Sequence, residues 1–212
     1  MNGRLDMTSM YAMHDALRRE LVQLARVTTR VDGDPYRVLH TAAGWALFTT
    51  CLRVHHSAED DTLWPALRRT LADRPDELAL LEAIEAEHAA IADVVAMIED
   101  LLTTPETGLD RLGDLTDSLA TGLAGHLKHE EDQALPLVQA FTTPAQWAHF
   151  GEVHAQRIAP DIARVLPWLL DGATEQTAAT VLAVLPASGR TEYTTRWRPA
   201  FAALDRWSPN TA

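Results

Sequence analysis

HHSAEDDTLWP (residues 55–65) and HLKHEEDQALP (residues 126–136) align without a gap when Pro65 is set on Pro136. His55 then falls on His126, Glu59 on Glu130, Asp60 on Glu131 and Asp61 on Asp132. Around both stretches Leu, Ala, Glu and Arg recur at helical spacing, while β-branched alternation bounded by turn residues is nearly absent. The pattern reads as all-α. Residues four apart on a helix share one face, so His55 with Glu59, and His126 with Glu130, each offer a nitrogen and a carboxylate to one point.

Working outward, Thr8 or Ser9 can cap a first helix running to about Arg30, where VDGDP (31–35) breaks it. A second helix runs from about Tyr36 to Leu71 and is bent or interrupted near Pro65. ADRPDE (72–77) turns the chain, and Pro75, Asp76 and Glu77 suit the start of a third helix that ends near Thr103. TTPETG (103–108) is the next turn, and the fourth helix is bent by Pro136 before Phe141. Four long helices with short connections predict an antiparallel up-down four-helix bundle over residues 1–142. The second unit, residues 143–212, holds Trp147, Trp168, Trp197 and Trp207. It reads as three shorter helices, about 144–170, 174–186 and 190–205, packed on the bundle or forming a homodimer surface.

The apolar stripes show which way the histidines face. Leu81, His88, Val95 and Leu102 recur every seven residues beside Ile84, Ile91 and Ile98, so His88 takes an interior position. His14 leads Leu17, Leu21 and Leu24; Phe48 and Leu52 lead to His55 and Glu59; Leu112 and Leu119 lead to His126. Depth follows from a rise of about 1.5 Å per residue. His14 and His55 lie roughly 24 and 28 Å from one end of the bundle, and His88 and His126 roughly 22 and 27 Å from a common end. All six groups therefore fall in one layer. Unpaired, they would cost several kcal/mol, a large share of a domain's stability.

Composition narrows the partners. The 212 residues are 47% hydrophobic, enough for a real core, and carry a formal charge of −12 with Lys and Arg scattered. Such a chain repels phosphate backbones and anionic lipid, so neither a nucleic acid nor a membrane is expected as partner. The single Cys51 excludes a disulfide framework and Cys-based zinc motifs and suits a reducing compartment. MNGRLDMTSM lacks a signal-peptide layout, and a cytoplasmic protein is the expectation.

Converging imidazoles and carboxylates in a bundle core are how such folds hold transition metals. Four imidazoles and two carboxylates exceed what a single catalytic zinc takes from protein. Two metals bridged by Glu59 and Glu130 would use them all, and the mixed nitrogen and oxygen set suits iron.

These residues resemble the hemerythrin-like, or HHE cation-binding, family: His14 in HDALRREL, His55 and Glu59 in HHSAEDDTLWPAL, His88 in EHAAI, and His126 and Glu130 in HLKHEEDQALPLV. Residues 144–212, including YTTRWRP (193–199), more loosely resemble a tail seen on actinobacterial members. The resemblance implies two non-haem, carboxylate-bridged iron ions that bind or react with dioxygen, peroxide or nitric oxide, in oxidative or nitrosative stress. Hemerythrins proper place two histidines four apart on the third helix, whereas Ile84 and Ala92 flank His88 here. They also carry His-x4-Asp on the last helix, where this chain has His126-x3-Glu130 and Glu131 at the x4 position. One protein nitrogen fewer weighs against reversible oxygen carriage and favours redox chemistry at an open position, so peroxide- or nitric-oxide-consuming turnover is one outcome. An iron- or oxygen-responsive sensor without turnover is a second, and a metal-free structural bundle a third.

Other residues keep two readings each. His56 and His129, with Asp60, Asp61, Glu131 and Asp132, are a solvated acidic flank or carboxylates orienting the ligand imidazoles. Whether Glu130 or Glu131 is the fourth-helix carboxylate stays open. Glu85, three before His88, matches one ferritin-like Glu-x2-His motif, without the second motif that fold requires, or is a spare ligand. Gly122 and Gly125 open a channel or permit close packing. Tyr11 and Trp45 approach the centre or pack in the core, and His40, His149 and His154 have surface or hydrogen-bonding roles.

Overall fold

The computed structural model describes residues 4–28, 35–103 and 109–208. Among them every regular element is helical, and none is long and apolar enough to cross a membrane. The expected breaks VDGDP and TTPETG lie, apart from Pro35 and Thr103, outside the described residues. The bundle comprises α1 (Thr8–Thr28), α2 (Pro35–Thr41), α3 (Ala43–Ala58), α4 (Trp64–Thr70), α5 (Pro75–Thr103), α6 (Leu109–His129) and α7 (Leu135–Phe141). The chain expected to form a second helix is α2 to α4, and that of the fourth is α6 and α7. The result is the antiparallel up-down arrangement.

Two local expectations need correction. The turn ahead of α1 is closed by Asp6, whose carboxylate accepts from the Thr8 N–H at 2.9 Å, rather than by the hydroxyl of Thr8 or Ser9. The second helix is also broken, at Ala42, where ψ opens to 130°. The cause is tertiary. The Gly44 N–H donates to the carbonyl of Arg206 at 2.7 Å.

The bends come from prolines. Pro65, Pro136 and Pro199 each follow a five-residue π turn, Glu59–Leu63, Glu130–Ala134 and Tyr193–Trp197. Trp64, Leu135 and Arg198 donate five residues back, to the carbonyls of Glu59, Glu130 and Tyr193. A proline lacks the N–H, and its ring collides with the carbonyl four residues earlier; one extra residue in the turn relieves both. The third case has no metal-ligating cluster, so the prolines, not the site, account for the geometry.

The core is in two parts. One apolar cluster contains Met13, Leu17, Leu52, Ile91, Leu123 and Leu127. The other contains Met10, Ala58, Ile84 and Ala134. Each long helix thus passes from one cluster to the other where its histidine stands, and the polar layer separates them.

The C-terminal segment runs through α8 (Pro144–Ile158), a 3-10 turn (Ala159–Asp161), α9 (Ile162–Leu169), α10 (Glu175–Ala183), α11 (Ala187–Glu192) and α12 (Arg198–Ala202). Thr143 and Gln146 form a capping box at the start of α8. Gly172, at φ 74°, turns the chain after α9 in the left-handed region that suits glycine. Trp168, Phe201 and Trp207 share a cluster with Leu17, Leu24 and Leu47 of the bundle. Trp207 Nε1 donates to the buried Glu20 carboxylate at 2.7 Å, which Arg19 also approaches at 3.3 Å.

Two substitutions test this docking in urea. A Cβ on Gly44 would lie 2.6 Å from the Trp207 ring and 2.7 Å from the Arg206 carbonyl. Gly44→Ala should cost about 1–3 kcal/mol through overpacking. Trp207→Phe removes a donor from a buried carboxylate and should cost about 1–3 kcal/mol. An unchanged urea midpoint for both would show that the docking carries no stability.

Candidate metal centre

His14 on α1, His55 on α3, His88 on α5 and His126 on α6 meet Glu59 and Glu130, the first residues of the two π turns. None of the six is more than 3% exposed. His14 Nε2 stands 3.0 Å from His55 Nε2. Glu59 lies between two helices' imidazoles, 3.5 Å from His55 Nε2 and 3.7 Å from His88 Nε2. Glu130 mirrors it, 3.4 Å from His14 Nε2 and 3.6 Å from His126 Nε2. The layer expected from helix depths is thus assembled.

Contacts of 3.4–3.7 Å are too long for good hydrogen bonds. Both oxygens of Glu59 and of Glu130, with Nε2 of His56, His88 and His126, are buried with no hydrogen-bond partner. Seven such atoms in one layer are costly unless a cation joins them. His14, His55, Glu59 and Glu130 each place one donor atom within 4.8 Å of the others', and so do His56, His88 and His126. A donor set of imidazole and carboxylate fits transition-metal ions.

Behind the inward nitrogens stand carboxylates. The Nδ1–H of His14 donates to Glu131 at 2.8 Å, that of His88 to Asp60 at 2.7 Å, and that of His126 to Glu87 at 3.0 Å. A carboxylate only accepts, so each Nδ1 carries a proton and each Nε2 is the nitrogen that faces the layer. Burial and neighbouring charges shift these groups in opposite directions. Burial works against a charge on His14, but Glu130 and Glu131 outweigh it and hold its pKa up at about 9. Burial, then neighbouring imidazoles including His14, pushes His55 well below 6.5. Burial and the adjacent Glu130 push Glu59 well above the carboxylate range. Glu130 goes the other way: burial opposes its ionisation, but His14, His126 and His88 prevail.

The geometry separates the readings left open by sequence. Glu130 turns inward, whereas Glu131 sits behind His14 and pairs with Arg18 at 2.8 Å. Burial opposes the charge of Glu131, yet the His14 and Arg18 bonds lower its pKa to about 2. Asp60 orients His88, Asp61 pairs with Arg157 at 2.6 Å, and Asp132 pairs with Lys128. His129 donates to Glu87 at 2.8 Å. Glu85 is held by Arg68 and takes no part in the layer. Gly122 and Gly125 are exposed with open space around them, so they form neither a channel at the site nor a close helix contact. Tyr11 is 44% exposed, and Trp45 packs on Phe48. His40 and His149 are exposed.

Three residues were missed. Glu87 precedes His88 in the sequence, but only the packing of α5 on α6 sets it behind His126. His56 is buried, not solvated, and stacks on His88 with ring centroids 3.9 Å apart. His154 on α8 meets the His55 ring edge-on at 6.1 Å. The doublet in HHSAE was the one available signal for His56.

The chain matches the hemerythrin HHE cation binding domain over residues 6–138 and belongs to that family. Comparison with curated proteins and with solved structures gave no match.

His154 provides a pH test. Burial, then the charge of Arg157, lowers its pKa from 6.5 to about 4. Between these values the unfolded chain takes up a proton that the folded chain refuses, so stability present above 6.5 is lost as pH falls toward 4. His154→Gln should reduce the fall in stability between pH 7 and pH 4.5 by about 1–2 kcal/mol relative to the unsubstituted chain. Parallel urea curves across that range would exclude the effect.

Proposed function

We propose that the protein is a non-haem di-iron protein that binds or reacts with dioxygen, peroxide or nitric oxide, with a role in oxidative or nitrosative stress. His14, His55, Glu59, His88, His126 and Glu130 hold two iron ions, and the two glutamates bridge them. The observation that supports this most is the buried layer itself. Each glutamate stands between imidazoles of two helices, with both of its oxygens free of hydrogen bonds. Family membership supports a cation site over the same residues.

Bound iron supplies the electrons for chemistry on a small diatomic or peroxide ligand. The chain's own groups prepare the site. Glu131, Asp60 and Glu87 hold His14, His88 and His126 in the tautomer that leaves Nε2 free. The apolar clusters on either side exclude water from the layer. A cytoplasmic location fits this reading, since the only cysteine, Cys51, is free and forms no disulfide.

Iron loading should give two ions per chain and a visible absorption spectrum, with excess peroxide or nitric oxide consumed. His126→Ala and Glu130→Ala should lower the iron content, whereas Glu131→Ala should keep two ions and bind them about 10–100-fold more weakly. Protein purified without added metal, carrying no iron and taking none up, would refute the proposal.

A second reading, a sensor without turnover, is favoured by one contact set. Arg157 of α8 reaches Ser57 at 2.8 Å and Asp61 at 2.6 Å, and His154 meets His55. Iron binding would then order α8. Limited proteolysis should show protection of residues 144–208 on iron loading; identical digestion with and without iron would remove this reading.

A further inference from the structure

We propose that His56 is a fifth metal-facing imidazole, forming with His88 and His126 a three-nitrogen site beside the two-nitrogen site of His14 and His55. This rests on the di-metal reading above and adds a ligand that neither the repeat nor the family match assigns. Consecutive residues on a helix point about 100° apart. His55 and His56 therefore straddle the interior: the first meets His14 of α1, and the second meets His88 of α5 and His126 of α6. Glu59 is four residues after His55 and three after His56, so it lies on the face of both.

The environment of His56 is that of a ligand rather than a surface residue. It is 7% exposed, and its Nε2 is buried with no hydrogen-bond partner. Its ring stacks on His88 within 5° of parallel and lies edge-on to His126 at 5.0 Å, so sharing an ion with His88 requires one of the two stacked rings to turn about its χ2. The three rings each place one nitrogen within 4.8 Å of the others'. Neighbouring ligands of an ion with bonds of about 2.0–2.1 Å stand roughly 3–3.5 Å apart, a closure that side-chain rotation supplies. His129 shows the alternative fate for a histidine in the matching stretch: it stays at the edge, paired with Glu87.

The consequence is an asymmetric centre. One ion would be held from the side of His56, His88 and His126, the other from the side of His14 and His55.

The test uses the full chain, labelled with ¹⁵N-histidine, stripped of metal and titrated with two equivalents of Zn(II). Imidazole nitrogens that bind zinc move to a distinct shift range. Five histidines should respond, and His56→Gln should lose one of the five, while His149→Gln at an exposed position keeps them all. Four responding histidines in the unsubstituted chain, or five retained in His56→Gln, would overturn the assignment of His56. Either result, with two zinc ions bound, leaves the six-ligand reading intact. No zinc bound at all would remove both. If His56→Gln fails to fold, the count in the unsubstituted chain decides.

Discussion

The structure depends on one unfavourable act, the burial of a layer of ionisable side chains across the middle of a helical bundle. His14, His55, Glu59, His88, His126 and Glu130 are almost fully removed from water. Two apolar clusters enclose them from either side. A carboxylate in such surroundings must be neutralised, protonated or bound to a cation. Glu130 and Glu131 favour the charge on His14, whereas burial and the adjacent Glu130 disfavour the charge on Glu59. Such a layer costs the bundle stability unless a cation joins its donor atoms.

Support for the layer comes from outside it. Glu131, Asp60 and Glu87 each stand behind one imidazole. Two of them belong to the acidic stretch following Glu59 or Glu130, so the acids in the repeat do different work according to the side of the helix they occupy. Residues facing in stand between the imidazoles, those just behind accept from a ring Nδ1, and those farther round pair with Lys128 or Arg157. The two prolines contribute by forcing π turns that begin at the inward glutamates. A wider turn there changes the helical register between the apolar residues before and after it, which lets a polar residue take an interior position without displacing the hydrophobic stripe.

The C-terminal segment acts on the bundle as well as covering it. Its Trp207 donates to Glu20, a buried carboxylate that Arg19 of the bundle also approaches. The same segment opens the second helix at Ala42, through the bond from Gly44 to Arg206. Helix α8 lies against the helix carrying His55, so the tail and the candidate centre share a boundary.

Much of this was legible in the sequence. Heptad spacing showed the inward faces of α1, α5 and α6, Pro75 marked the turn before α5, and the gapless repeat identified the paired His and Glu positions. Those are local properties, because helical periodicity alone decides which residues share a face. Three things depended on tertiary contacts. The break at Ala42 is made by a residue more than 160 positions away, through the Gly44 to Arg206 bond. Glu87 serves His126 only because α5 packs on α6. His56 sits one residue from an inward histidine, and periodicity cannot say which of two neighbours 100° apart faces the interior when helices lie on both sides. The sequence by itself determined the helices, their inward faces and the chemistry of the central layer; the assembled bundle decided which second neighbours stand behind that layer, because those contacts link helices whose spacing in the chain carries no period.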